Sequence, residues 1–235
     1  MNTLDIKAYY QSSLGCITQM SIEHILDVLG HTDRIRRTKK FVSMGYTIPF
    51  LFAENVNPVF FLSQLGAIPW PVDNNVCCLV DEKHLPLPNK SVDLIYIIHG
   101  FEFIHNIKSF LDECSRVLSN TGHMVIVVPN RRSLWAHNIK SPMGYGHPYT
   151  LTQLRELFAS HSWSIIRYAR GLYSPPYNSD FNLSVSPMLD RCCRFLGGKF
   201  SGLIGVEICK EELKPVLKKI ELPSLQRRKQ ALNMR

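Results

Sequence analysis

The sequence lacks the patterns that would assign a chemistry at once. It has no CxxC pair, no His, Cys and carboxylate spacing suited to a metal, no phosphate-binding glycine–lysine loop and no recognisable Ser/His/Asp arrangement. No apolar run approaches the roughly 20 residues that a bilayer-spanning helix needs, so no membrane span is expected. The N-terminus, "MNTLDIKAYYQSSLG", has no basic stretch followed by an apolar one, which leads us to expect an unexported, cytoplasmic protein. The seven cysteines, Cys16, Cys77, Cys78, Cys114, Cys192, Cys193 and Cys209, are odd in number and include two adjacent pairs. That spacing fits neither a disulfide framework nor a zinc site and suggests reduced thiols.

The sequence does have the length and apolar content for one sizeable core: 235 residues, 45% hydrophobic and 20% charged. No internal repeat or linker divides it, and a single domain over 1–210 is expected, with 1–38 as a helical segment packed on it and 211–235 as a basic tail. The net charge of +8 raises the question of a nucleic-acid partner. Much of that charge, however, sits in "DRIRRTKK" and in the stretch from Lys210 to Arg235, which has eight Lys/Arg against three Glu. A tail of this kind is more often a solvated extension than a binding arm, and the absence of interleaved aromatics weakens the case for single-strand binding.

Short β-branched and aromatic runs alternate with amphipathic or turn-rich segments between residues 39 and 129. This is the signature of a parallel sheet wrapped by helices. Strands are expected at Lys39 to Met44, Pro58 to Ser63, Val76 to Val80, Val92 to Ile98 and His123 to Val128, with two more in "SWSIIRYARGL" and "SGLIGVEICKE". Most are continuous apolar runs, as expected for strands covered on both faces. In "NIKSFLDECSRVLS" an apolar stripe formed by Ile107, Phe110, Leu111, Cys114, Val117 and Leu118 predicts a helix, broken by "NTGH" before the next strand. Thr150 and Gln153 form a capping-box pattern ahead of Leu151, Leu154, Leu157 and Phe158. "SIEHILDVLG" places Ile22, Ile25, Leu26 and Leu29 on one face, with Gly30 as a plausible cap. A loop and helix insertion is expected over 174–199.

In an open parallel sheet, ligands bind beyond the carboxyl ends of the strands. The stretches to inspect are therefore Gly45 to Pro49, Gln64 to Trp70, Asp81 to Leu85, His99 to Glu102 and the residues from Asn130 onward. Here the sequence resembles a known family. "VDEKHLPLPNKSVDLIYIIHGFEFIHNIKSFLDECSRVLSNTGHMVIVVPN" is similar to the class I S-adenosylmethionine-dependent methyltransferases of the type 11 branch. "GYGHPYTLTQLRELF" resembles the family's segment after strand five. With "AYYQSSLG" and "GYTIPFL", the pattern looks most like a methyltransferase-like subgroup common in alphaproteobacteria.

The resemblance implies a doubly wound α/β fold with a mostly parallel seven-stranded sheet and antiparallel last strands. It also implies S-adenosylmethionine as cofactor and methyl transfer to an acceptor that it does not identify. The first strand departs from the family pattern: where three glycines are usual, only Gly45 remains, followed by Thr47 and Pro49. The acidic residue that usually ends strand two is replaced by Ser63 and Gln64. By position, Gly45, Tyr46, Thr47, Gln64, Asp81, Glu82, Leu85 and His99 are candidate cofactor residues. His99, Glu102 and His147 are candidates for a base or for positioning, and Asn130, Arg131, Arg132, Tyr145 and His147 for holding the acceptor. Each has a structural alternative: a turn carboxylate for Asp81, sheet-end shielding for Tyr46, helix capping for His99 and Glu102, loop packing for His147, and a solvated loop for the arginines. A cofactor-free interaction module on the same fold, or a basic-surface RNA-associated protein, is also compatible with the sequence.

Overall fold

The computed structural model describes residues 1–30, 40–50, 58–71, 73, 75–176 and 200–211. Two helices open the chain, α1 (Thr3–Tyr10) and α2 (Ser13–Val28). Each begins at a polar cap: Asn2 and Asp5 form a reciprocal capping box on α1, and the Ser12 side chain accepts from the Gly15 amide on α2. The helices meet closely at Gly15, where a Cβ would overlap the Tyr9 carbonyl. α2 ends as its sequence suggests, with Gly30 in the left-handed region at φ +74° just past Leu29.

Seven strands follow: β1 (Phe41–Gly45), β2 (Val59–Leu62), β3 (Cys77–Val80), β4 (Val92–Ile98), β5 (Leu118–Pro129), β6 (Trp163–Gly171) and β7 (Leu203–Lys210). They form one sheet in the order β3-β2-β1-β4-β5-β7-β6. β1 to β5 run parallel, and β7 is antiparallel to both β5 and β6. The expected mostly parallel sheet with antiparallel last strands is thus present. Two further α-helices are described, α3 (Ile107–Val117) and α4 (Leu151–Ala159), besides short helical turns such as Leu134–His137.

Why the central strands are continuously apolar is plain from the two layers they separate. In β4, Ile95 and Ile97 face one layer, packed with Phe110, Leu111, Cys114 and Val117 of α3 and Leu154 and Phe158 of α4. Leu94, Tyr96 and Ile98 face the other, packed with Ile6, Ile17, Ile22, Ile25 and Leu26 of the first two helices. A strand buried on both faces needs apolar side chains at successive positions, not at alternate ones.

Several boundaries differ from expectation. "NTGH" does not separate α3 from the next strand: β5 starts at Leu118, directly after α3, and runs through those residues. β2 and β3 are shorter than their apolar runs. α1 has no clear apolar stripe in sequence, and its burial comes from Thr3, Ile6, Tyr9 and Tyr10. The basic run 31–39, most of the 174–199 insertion and the tail from 212 lie outside the described residues.

Candidate functional site

The sheet order diverges between β1 and β4, so their carboxyl ends form the crevice in which this architecture places ligands. Gly45 closes β1 at φ +81°, and a Cβ there would fall on the Ile98 carbonyl oxygen and 2.7 Å from that of His99. Only glycine fits both that conformation and that contact. His99 follows β4 in the left-handed region at φ +51°, an uncommon backbone state for a residue with a side chain. Gly100 then lets the two strand ends approach, since its Cβ would lie 3.3 Å from the Gly45 Cα.

This backbone turn buries His99 and Glu102 together. His99 Nδ1 lies 3.6 Å from Glu102 Oε1, an electrostatic contact longer than a hydrogen bond. On the other side of the ring, Nε2 is 2.6 Å from the Tyr10 hydroxyl at the end of α1. The Tyr10 ring stacks on Tyr46 with centroids 5.6 Å apart and planes 18° apart, and meets Phe50 edge-on. Burial pushes the Tyr10 phenol well above its usual range, and the nearby Tyr9, Tyr46 and Glu102 add to the effect. The phenol therefore keeps its proton and is the natural donor to Nε2, which leaves the Nδ1 side of the ring toward Glu102.

Three side chains here are buried without a hydrogen-bond partner: Ser43 Oγ, Thr47 Oγ1 and both carboxylate oxygens of Glu102. Burying such groups unpaired is costly, and all three lie in or just beyond the neighbouring strands β1 and β4, so they call for an explanation. A cleft of about 600 Å³ opens at Glu102, with Gln64, His105, His147, Tyr149 and Leu157 also in its wall. That volume is within the ordinary range for small-molecule sites. The far wall is clasped onto the near one: the His147 amide donates to the Glu102 carbonyl oxygen at 2.7 Å, and Gly146 at φ +72° leaves no room for a Cβ against that carbonyl. The His147 ring is exposed and packs edge-on to Tyr149 at 5.2 Å. Burial, and secondarily the Glu102 charge, push the Tyr149 phenol up to about 12.

The structure therefore gathers Gly45, Tyr46, Thr47, His99 and Glu102 at the strand ends, and Gln64, Glu102 and His147 around the cleft. The other candidates have local roles. Asp81 is exposed, accepts from the Lys83 amide and lies 3.8 Å from His84. Glu82 is buried and accepts from the His105 and Asn106 amides at 3.3 and 3.0 Å, so its carboxylate caps α3. Leu85 is buried and donates its amide to Glu113. Asn130 donates to the Ser201 carbonyl at 2.7 Å and accepts from the Arg132 amide, which ties β5 to the start of β7. Arg131 and Arg132 are exposed, and Tyr145 is half-buried in the turn after Pro142–Gly144. Sequence reasoning missed Tyr10 and Ser43. The paired aromatics of "AYYQSSLG" were the available signal for Tyr10, but nothing local places them 89 residues away against His99.

A family model described as a methyltransferase domain matches residues 70–126, from just before β3 into β5. Among solved structures, a possible histamine N-methyltransferase from Thermotoga maritima, described as S-adenosylmethionine-dependent, is similar at 13% identity and a TM-score of 0.52. That match covers 73% of this chain and 82% of the other. A chain from the Haloferax volcanii complex between the Trm112 methyltransferase activator and a methyltransferase is similar at 13% identity and a TM-score of 0.52, covering 89% and 98%. Geranyl diphosphate methyltransferase in complex with GPP and sinefungin is similar at 11% identity and a TM-score of 0.50, covering 77% and 78%. No curated protein matches significantly. At these identities the likeness establishes the fold, that of the class I methyltransferases.

Proposed function

We propose that the chain is an S-adenosylmethionine-dependent methyltransferase, with the cofactor held at the carboxyl ends of β1 and β4 and the acceptor entering from the cleft beside His147. The observation that carries this reading is the set of unpartnered buried groups, Ser43 Oγ, Thr47 Oγ1 and the Glu102 carboxylate, at the point where the sheet order diverges. A carboxylate and two hydroxyls suit a ligand with a cationic end and hydrogen-bonding groups. The match of 70–126 to a methyltransferase domain supports the same reading. When bound, the cofactor supplies an electrophilic methyl group on a sulfonium.

The residues of this chain provide the surroundings for that chemistry. Gly45 and Gly100 let the backbone close up at the strand ends, and Gln64 offers a neutral partner to a hydroxyl at the cleft wall. Glu102 supplies the negative charge, and the Tyr10 to His99 hydrogen bond fixes the imidazole beside it. His147 is one of two exposed imidazoles in the cleft wall, with His105, and its place on the far wall beside Tyr149 makes it the group to take a proton from an acceptor that carries one. Orientation of the acceptor within the cleft supplies much of the acceleration expected of such a transfer.

A second reading, a cofactor-free interaction module, draws on specific observations. Asp81 is turned to solvent, Glu82 is committed to α3, and Tyr10 packs tightly over Tyr46. Calorimetric titration with S-adenosylmethionine and S-adenosylhomocysteine separates the two readings. Binding of either is expected, with Glu102→Gln weakening it about tenfold or more and Asp81→Ala leaving it unchanged. Absence of binding by both ligands at millimolar concentration favours the interaction module.

A further inference from the structure

The loop that leaves β5 carries a second surface, separate from the cleft. Between Glu113 and Glu156 the sequence has no acidic residue, and the β5 loop exposes Arg131, Arg132, His137 and Lys140. Among these cations stand apolar side chains pointing outward: Leu134 is 63% exposed and Ile139 71%, with Phe200 at 77% on the chain entering β7. Scattered single apolar residues on a surface need no explanation, but a group flanked by cations of one sign does.

Their presentation is built into rigid turns. Trp135 is buried, with its indole N–H donating to the Ser174 carbonyl at 2.7 Å, which pins the short helix Leu134–His137 and leaves Leu134 on its outer side. Ile139 sits at the apex of a turn in which the Ser141 amide and hydroxyl both donate to the Asn138 carbonyl at 3.0 Å, and the Lys140 amide donates to Asn138 Oδ1. The Asn130 amide donates to the Gly202 carbonyl at 2.9 Å and its side chain to that of Ser201, so Phe200 is held within two residues of the same base. Side chains fixed outward by hydrogen-bonded turns lose little further freedom on binding.

We propose that this face docks on an anionic lipid surface, with Leu134, Ile139 and Phe200 entering the headgroup boundary and Arg131, Arg132 and Lys140 meeting the lipid charges. Exposed apolar tips among cations are complementary to an interface with anionic headgroups above an apolar layer, which takes both at once. The inference does not rest on the methyl-transfer reading. It would bring the cleft to the membrane, since the same loop continues to Gly146 and His147 in the cleft wall.

Co-sedimentation of the full chain with phosphatidylcholine vesicles, with and without phosphatidylglycerol, tests it. Binding is expected only to the anionic vesicles, and raising the salt should weaken it without abolishing it. Leu134→Ser with Ile139→Ser should weaken it about tenfold or more at every salt concentration. Arg131→Ser with Arg132→Ser should weaken it chiefly at low salt. The Lys/Arg-rich stretch from Lys210 to Arg235 is intact in both variants. Binding that the Leu134/Ile139 variant leaves unchanged would therefore reflect that stretch and overturn the proposal. So would absence of vesicle binding, whether alone, with self-association that this variant disperses, or with retention of a nucleic-acid probe instead. Unchanged thermal unfolding midpoints in both variants are the check that the fold is intact.

Discussion

Tyr10 joins the first helix to the residue that follows the fourth strand through one hydrogen bond. Its ring and its hydroxyl do separable things: the ring stacks on Tyr46 and the hydroxyl meets His99 Nε2. Tyr10→Phe keeps the stack and strands a buried imidazole nitrogen, at an expected loss of about 1 to 2 kcal/mol. Urea unfolding of the two proteins measures it, and an unchanged midpoint would mean that the hydrogen bond has no net worth. At this scale the sequence was informative where covalent geometry dictates the residue. Gly45 was legible because a strand that ends on a lone glycine implies a left-handed turn or a close approach, and both are present. Asp81 and Glu82 were not legible: adjacent carboxylates after a strand look alike on paper. The direction of the turn alone sends one to solvent and the other to the amides of His105 and Asn106.

The helix α3 was the most legible element, because its apolar stripe spans three turns. Where its C-terminus gives way to β5 was hidden, since "NTGH" has the composition of a breaker yet lies within β5, across the irregularity between the pairings of Leu118 and His123 with β4. The polar side of α3 holds a device that stripe analysis passes over. Glu113 accepts from the Leu85 amide at 2.7 Å and from Arg116, and Arg116 donates to the Leu85 and Leu87 carbonyls. The pair thus fastens the loop between β3 and β4 to the helix. The hydrogen bond from Arg116, aided by that from the Leu85 amide and by the Arg116 and His84 charges, holds the Glu113 carboxyl below its usual range despite the opposing effect of burial. A carboxyl whose folded value is depressed contributes stability that is present above its unfolded value and lost as the pH falls through the folded one. Acidification through and below the ordinary carboxylate range should therefore erode the stability of the native chain. Glu113→Gln should be less stable near neutrality and show a flatter acid limb, as read from urea midpoints across that range. Parallel acid limbs for the two proteins would remove Glu113 from the account.

At the scale of the whole molecule, the beginning and the end of the described chain close the same layer. α2 packs on β6 and β7. The fit depends on Gly205, where a Cβ would fall on Ile25 Cγ2, and on Gly171, where it would lie 3.1 Å from the same side chain. Arg167 of β6 completes the contact by donating to the Leu29 carbonyl at the end of α2. No local pattern in β7 announces this, because a glycine in a strand reads as a weakness until the helix lying across it is known. Gly205→Val forces Ile25 and α2 outward, an overpacking that typically costs about 1 to 3 kcal/mol. The displacement has a route to the candidate site, because α2 meets α1 without a gap at Gly15 and α1 carries Tyr10 onto His99. The substitution is therefore expected to weaken S-adenosylhomocysteine binding as well as to lower the unfolding midpoint, although Gly205 lies on β7, two strands away from β4. Calorimetry and urea unfolding of this variant, with Tyr10→Phe as the comparison, test that route. A destabilised Gly205→Val protein that binds the ligand with native affinity would show that the first helices shield the site without shaping it.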